Sequence, residues 1–259
     1  MIKLVAVTFL VAVVFARPQD VDLYRVDVQP QDDLQFFENI EAQQPDALVT
    51  SDYGSYSYAV DLSVATTASQ MKCLKRAGYA AVFIRAFTPA GQGAFDLNSV
   101  TSIRNAVSAG LGILAYMTPQ PISTLQGYQQ LDLFYNGLTK NGINIRSVVI
   151  QVTSPANWQK STAANSDFIN SIISRAKQYG LVVLIYTNHY DWNQITGNLS
   201  TLSSDILLWY WNVHGSGPAG ETSPNFEDFR AFGSFKTAFA KQFAQSEVVC
   251  SLTVNRDVY

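Results

Sequence analysis

From residue 58 to the C-terminus, short apolar runs alternate with longer segments in which apolar residues recur every three or four positions. AAVFIRAF (80–87) and LVVLIYT (181–187) are runs of the first kind, and the stretch 166–180 is of the second kind. Nearly continuous apolar runs are typical of parallel strands that are covered on both faces, whereas the periodic segments are typical of amphipathic helices.

The alternation of strands and helices predicts the fold class. The predicted strands are 58–63, 80–87, 111–119, 147–153, 181–187, 205–211 and 248–254. The predicted helices are 67–78, 98–110, 125–142, 166–180 and 190–195. This order indicates an α/β fold, and the number of strands favours a TIM-like (β/α) barrel. A doubly wound open sheet is the alternative.

The N-terminal segment divides into two parts ahead of a folded domain at 58–259. Residues 1–16 have the pattern of a secretory signal peptide, because Lys3 precedes a short apolar run and Val14-Phe15-Ala16 fits the small-residue rule for cleavage. We therefore predict a secreted, extracellular protein with no membrane span; an uncleaved anchor is the alternative. Residues 17–57 are rich in Gln and Asp and lack sustained periodicity, which predicts a flexible acidic leader.

Three further residues carry expectations that follow from secretion. In an oxidising compartment, Cys73 and Cys250 are expected to form a disulfide; the alternative is two buried free thiols. Asn198 begins the sequon Asn-Leu-Ser in a polar stretch, so it is a predicted glycosylation site on a surface loop.

Polar and aromatic residues collect where the predicted strands end, and in a barrel those ends form the site. The candidates there are Asp61, Arg85, Tyr116, Gln151, Thr153, Tyr186, Trp209, Tyr210, Trp211 and Asn255. A site that has a single carboxylate, Asp61, is poorly equipped for proton transfer. Aromatic rings beside neutral hydrogen-bonding groups suit carbohydrate, with core packing as the alternative for the rings. The candidate substrate-binding residues are Arg85, Tyr116, Tyr186 and Trp209.

Other chemistries are not supported. The two histidines, His189 and His214, do not have metal-ligand spacing, so neither a metal nor another cofactor is predicted. The chain has no phosphate-binding glycine motif and no basic run with interleaved aromatics, which argues against nucleotides and nucleic acid as partners.

Several stretches, taken in order, resemble one family. They are YAVDLS, QMKCLKRAGYAAVFIRAF, AGLGILAYMTPQP, VTSPANW, LIYTNHYDWNQI, LLWY, FRAFGSFKTAFAKQF and VCSLTVNRDVY. Together they resemble glycoside hydrolase family 25, in particular the secreted lysozyme-like proteins of its invertebrate (worm-type) branch. The resemblance implies a modified (β/α) barrel that needs no cofactor. It also implies a muramidase reaction, which cleaves the N-acetylmuramic acid–N-acetylglucosamine linkage of peptidoglycan.

The resemblance also shows which family acids are present. The first-strand Asp of the family corresponds to Asp61. The Asp-x-Glu of the fourth strand, aligned on the following Pro and Trp, falls on Gln151 and Thr153. A further Asp near the C-terminus falls on Asn255. One of these acid positions therefore keeps a carboxyl group, and the residue at the position of the general acid is Thr153.

Glycoside hydrolysis needs a carboxylic acid to protonate the leaving oxygen, and a threonine hydroxyl cannot supply that proton near neutral pH. We therefore predict a monomeric lysozyme-like pseudoenzyme linked to innate defence or signalling, with peptidoglycan or a related glycan as its partner. Its muramidase activity is predicted to be lost or very weak. One alternative is an active muramidase with a displaced acid such as Asp191 or Asp96. Another is a structural or interaction barrel without glycan binding.

Overall fold

The barrel predicted from the sequence is present. The computed structural model describes residues 23–28 and 56–259. The barrel strands are β1 (Tyr58–Leu62), β2 (Ala81–Thr88), β3 (Gly112–Met117), β4 (Ser147–Gln151), β5 (Val182–Thr187), β6 (Leu207–Trp211), β7 (Ala240–Val249) and β8 (Leu252–Val258). Strand β1 pairs with both β2 and β8, so the sheet closes and the open-sheet alternative is wrong. Neighbours from β1 to β7 are parallel, whereas β8 runs antiparallel to β7 and β1.

In the described part of the chain, five α-helices cover the outside of the barrel, as the periodic segments predict. They are α1 (Ala68–Arg76), α2 (Asn98–Ser108), α3 (Gly127–Lys140), α4 (Thr162–Gln178) and α5 (His189–Thr196). Helix α1 begins at a capping box between Thr67 and Gln70, and the Asn188 side chain caps α5 by accepting from the Asp191 backbone N–H. None of the described helices is long and apolar enough to cross a membrane.

The predicted final strand, 248–254, is wrong. Its residues span the turn of a hairpin, in which β7 ends at Val249 and β8 begins at Leu252. The two turn residues, Cys250 and Ser251, have φ angles of 54° and 61°. Two-residue hairpin turns need this left-handed conformation, which usually calls for Asn or Gly, so the Cys-Ser pair does not indicate a turn. Strand β7 itself was not predicted, because its polar residues interrupt the apolar run.

The side chains inside the barrel form a core of their own. Its buried members are Ala59, Ala81, Phe83, Leu114, Tyr116, Val149, Leu184, Tyr186, Trp209 and Ala240. Because successive side chains of a strand point to opposite faces, the next inward positions toward the carboxyl ends of the parallel strands include Asp61, Arg85 and Gln151. The packed interior therefore forms the floor beneath these polar residues.

Part of the predicted leader packs against the barrel. The Tyr24 ring lies beside Phe83, Phe239 and Tyr259, with the ring centroids of Tyr24 and Tyr259 4.8 Å apart. The backbone carbonyl of Tyr24 accepts from the Ile113 N–H over 3.1 Å. The expectation of a flexible leader is thus wrong for residues 23–28, since their apolar side chains have a surface to bury against. The predicted signal peptide (1–16) and the rest of 17–55 lie outside the described residues.

The predicted disulfide is confirmed. Cys73 on α1 and Cys250 in the β7–β8 turn are joined with an S–S distance of 2.08 Å, so the free-thiol alternative is wrong. The bridge fastens the hairpin that carries Asn255 to the first helix of the barrel.

Candidate functional site

A cavity of about 310 Å³ opens where the parallel strands of the barrel end. Its lining residues are Asp61, Ser63, Arg85, Tyr116, Gln151, Tyr186, Trp209, Ser246, Thr253, Val254 and Asn255. The structure thus brings seven of the ten strand-end candidates to one mouth, and the exceptions are Thr153, Tyr210 and Trp211. Thr153 is not among the lining residues and reaches the site through the side chain of Gln151.

Asp61 is held by two neutral amides. Asn255 Nδ2 donates to Asp61 Oδ1 over 3.0 Å, and Gln242 Nε2 donates to Asp61 Oδ2 over 2.6 Å. Burial raises the pKa of the Asp61 carboxyl to about 7, although these two hydrogen bonds act in the opposite direction. The only carboxyl that lines the cavity among the described residues therefore has both oxygens engaged and is partly protonated at neutral pH.

Gln242 is a functional residue that sequence reasoning missed. It is fully buried on β7, and its Oε1 accepts from the Tyr186 hydroxyl over 2.9 Å and from Gln245 Nε2 over 2.6 Å. Gln242 therefore links the aromatic wall of the cavity to Asp61. Once β7 is known to be a strand, its alternation with the interior residue Ala240 would have indicated an inward position.

The fourth strand ends in neutral groups that bond to one another. Thr118 Oγ1 donates to Gln151 Oε1 over 2.6 Å, and Gln151 Nε2 donates to Thr153 Oγ1 over 2.9 Å. Trp158 Nε1 donates to the Thr153 backbone carbonyl over 2.9 Å and so fixes the turn after the strand. Neither position at which the resemblance places a family acid carries charge.

Another carboxyl, that of Asp257, lies nearby without lining the cavity. Asp257 is fully buried on β8, where Trp209 Nε1 donates to its Oδ1 over 2.9 Å. Burial, together with the charge of Asp61, raises the pKa of Asp257 well above its usual range. Sequence reasoning missed this residue, because the predicted last strand stopped short of it.

The candidates for a displaced acid are placed elsewhere. Asp191 on α5 accepts from Trp211 Nε1 over 3.2 Å, and burial raises the pKa of its carboxyl. Asp96 Oδ1 accepts from the Asn98 backbone N–H over 3.0 Å, near the start of α2. Neither side chain lines the cavity.

The aromatic residues that line the cavity contribute to its floor and to its wall. Trp209 is only 1% exposed, and its ring centroid lies 4.1 Å from that of Tyr186 and 6.1 Å from that of Tyr116. The structure thus favours core packing over an open stacking face for Trp209. Tyr116 donates its hydroxyl to the Leu62 carbonyl over 3.3 Å.

Two predictions concern positions away from the cavity. Asn198 is exposed, and its Oδ1 accepts from the Gly233 N–H over 2.9 Å, so the side chain is accessible, while its glycosylation stays a prediction. The described residues contain no cluster of His, Cys, Asp and Glu side chains that could hold a metal ion.

Comparison with known proteins identifies the family. A family model with the description "Lysozyme-like protein 1" matches residues 52–243. The chain is 68% identical over 263 residues to "Lysozyme-like protein 1" of Caenorhabditis elegans, an alignment that covers 100% of this chain and 88% of the relative. It is 31% identical over 201 residues to "Probable GH family 25 lysozyme 2" of Dictyostelium discoideum, covering 77% of this chain and 89% of that protein. The chain belongs to glycoside hydrolase family 25.

The fold of this lysozyme-like protein agrees with that membership. A solved muramidase from Trichobolus zukalii superimposes with a TM-score of 0.60 at 19% identity, covering 78% of this chain and 92% of the muramidase. The resemblance drawn from the sequence is thereby confirmed for the family, its lysozyme-like worm branch and the barrel.

Proposed function

We propose that this lysozyme-like protein is a secreted, monomeric glycan-binding member of family 25 whose peptidoglycan muramidase activity is absent or very weak. The observation that carries the proposal is the state of Asp61, whose two carboxylate oxygens accept from the amides of Asn255 and Gln242. At the end of β4, where the resemblance places two further acids, the chain has Gln151 and Thr153.

The chemistry of glycoside cleavage supports the loss of activity. Both the retaining and the inverting mechanism use two carboxyl groups, one on each side of the scissile bond. A missing general acid costs a factor of about 10²–10⁴ in rate, and the positively charged transition state also lacks nearby negative charge. Asp257 cannot take the second role, because it is fully buried behind Trp209 and does not line the cavity.

The remaining groups support glycan binding. The hydroxyls of Ser63 and Thr253 and the amides of Gln151 and Asn255 line the cavity, so they can pair with sugar hydroxyls. We take peptidoglycan or a related glycan as the ligand and innate defence or signalling outside the cell as the setting.

A competing function is favoured by one observation. The raised pKa of the Asp191 carboxyl is a property that a general acid needs. An active muramidase that uses Asp191 would require the α5 helix to move toward the cavity, because Asp191 is buried against Trp211. Its signature is cell-wall lysis that Asp191→Asn abolishes.

Retention on insoluble peptidoglycan tests the binding half of the proposal. Thr253→Trp places a large ring at the cavity mouth, so we expect this variant to stay in the supernatant while the unmutated protein sediments with the glycan. Thr101→Trp, at an exposed position of α2, is the matched control and should sediment like the unmutated protein. Equal sedimentation of all three proteins, or of none, would contradict binding in this cavity. The same preparations should leave a turbid peptidoglycan suspension essentially uncleared.

A further inference from the structure

We propose that the cleft recognises a saccharide that carries a free carboxylate, and that Arg85 is the residue that binds this group. The inference deepens the proposed function and rests on its claim that the cavity binds glycan. It starts from an unpaired charge in the wall of that cavity.

Arg85 has unused hydrogen-bonding capacity. It lies on β2, is partly buried and is the only basic residue that lines the cavity in the described part of the chain. Its Nη2 donates to the Ser63 carbonyl over 3.3 Å, while its buried Nε has no partner among the described residues. A guanidinium carries five N–H donors, and a buried donor without an acceptor is costly.

Other shielded cations of the barrel have carboxylate partners. Lys241, fully buried, lies 2.8 Å from Asp228 Oδ2. Arg256 lies 2.6 Å from Glu221 Oε1 and 3.2 Å from Glu247 Oε2. Arg85 forms no such pair within 4.0 Å among the residues that the structure describes. The fold thus pairs Lys241 and Arg256 with its own carboxylates. Arg85, in the wall of the cavity, has no carboxylate partner among the described residues.

The cavity does not neutralise Arg85 either. The two positions on the fourth strand and the position on β8 that the resemblance assigns to acids hold Gln151, Thr153 and Asn255, which are uncharged. Asp61 is engaged by two amides. A carboxylate on the ligand would meet the terminal Nη donors of the guanidinium, whose planar arrangement matches carboxylate geometry. A neutral glycan would leave the charge unpaired.

Calorimetry with matched tetrasaccharides tests the inference. The anionic probe alternates N-acetylglucosamine with glucuronate, and the neutral probe of equal length is chitotetraose. We expect the unmutated protein to bind the anionic probe about tenfold more tightly at low salt. The preference should shrink as salt is raised, because the site opens to solvent. A third probe, a tetrasaccharide with a free lactyl carboxylate on N-acetylmuramic acid, shows which source of carboxylate fits.

Variants of Arg85 test whether this residue causes the preference for the anionic probe. Arg85→Gln should bring the two affinities within about twofold of each other, whereas Arg85→Lys, which keeps the charge, should retain part of the preference. Arg76→Gln, at an exposed position of α1, is the matched control and should keep all of it. If Arg85→Gln fails to fold, the salt series and Arg85→Lys still decide the question.

The possible failures are distinguishable. Equal binding of neutral and anionic probes by the unmutated protein would overturn the inference and leave glycan binding intact. A preference that persists in Arg85→Gln would also overturn it, by assigning the carboxylate to another residue. Binding of no probe, together with no retention on peptidoglycan, would overturn the proposed function itself.

Discussion

Asn255 faces Asp61 across the β8–β1 pair and donates to its carboxylate over 3.0 Å. The Asn255 Oδ1 at the same time accepts from the Ser246 backbone N–H over 3.0 Å. An ionised Asp at this position could accept from Ser246 but could not donate to Asp61. The amide therefore satisfies two neighbours that a carboxylate could not satisfy together.

Asn255→Asp should place two carboxyls within hydrogen-bonding distance of each other. Because like charges disfavour ionisation, we expect the variant to lose about 1–3 kcal/mol of unfolding free energy at pH 8. The loss should shrink at pH 5, where a shared proton can bridge the pair. Chemical denaturation at the two pH values measures this. Asn136→Asp on α3, an exposed site, is the control and should show no comparable change. Equal stability of Asn255→Asp and the unmutated protein at pH 8 would contradict the contact.

The Asp61 carboxyl should titrate near pH 7, because burial raises its pKa to about 7. The folded pKa lies above the unfolded value, so the stabilising contribution is complete below about pH 4 and is lost as pH rises through about 7. Carbon-13 NMR of the carboxyl resonances gives the pKa directly. The free energy of unfolding should fall more steeply between pH 4 and pH 8 in the unmutated protein than in Asp61→Asn. A titration midpoint near 4 would refute this assignment.

Tyr24 should stabilise the barrel although it precedes the folded domain by sequence. Its ring contacts Phe83, Phe239 and Tyr259, so Tyr24→Ala should cost about 2–4 kcal/mol of unfolding free energy. Tyr128→Ala on α3, where the ring is exposed, should cost less than about 0.5 kcal/mol. Denaturant titration compares the two. If both variants match the unmutated protein, residues 23–28 do not pack on the barrel in solution.

The disulfide should contribute strongly to stability, because it joins residues 177 positions apart. In the chain-entropy model, closing so long a loop stabilises by about 5 kcal/mol, and measured values usually fall below that figure. Cys73→Ser/Cys250→Ser should lower the melting temperature, and a reducing agent should then have no further effect on the double variant. A melting temperature that equals that of the oxidised protein would show that the bridge does not constrain the unfolded chain.

The sequence predicts much of the barrel because its buried strands are apolar runs. AAVFIRAF and LVVLIYT are continuous enough to be recognised without their partners, and each lies between helices with clear periodicity. Strand β7 escapes this reasoning, since Lys241 and Gln242 are buried polar residues whose partners are distant in sequence. Local pattern cannot show that Gln242 meets Asp61, because that contact joins residues 181 positions apart.

The sequence likewise predicts only part of the candidate site. Strand ends indicate Asp61, Gln151 and Asn255, and the structure places all three on one cavity. Exposure is a property of tertiary packing, so the sequence does not reveal that Trp209 lies beneath the cavity as its floor. Nor does it reveal Asp257, whose position depends on the register of the hairpin that the left-handed Cys250 and Ser251 create.

Clearing of a peptidoglycan suspension tests the central claim most directly. We predict that the unmutated protein clears no faster than Asp61→Asn, and that Gln151→Asp/Thr153→Glu, which restores two carboxyls at the end of β4, clears measurably faster than either. Robust clearing by the unmutated protein that Asp61→Asn abolishes would contradict the claim that this lysozyme-like protein has lost its muramidase activity.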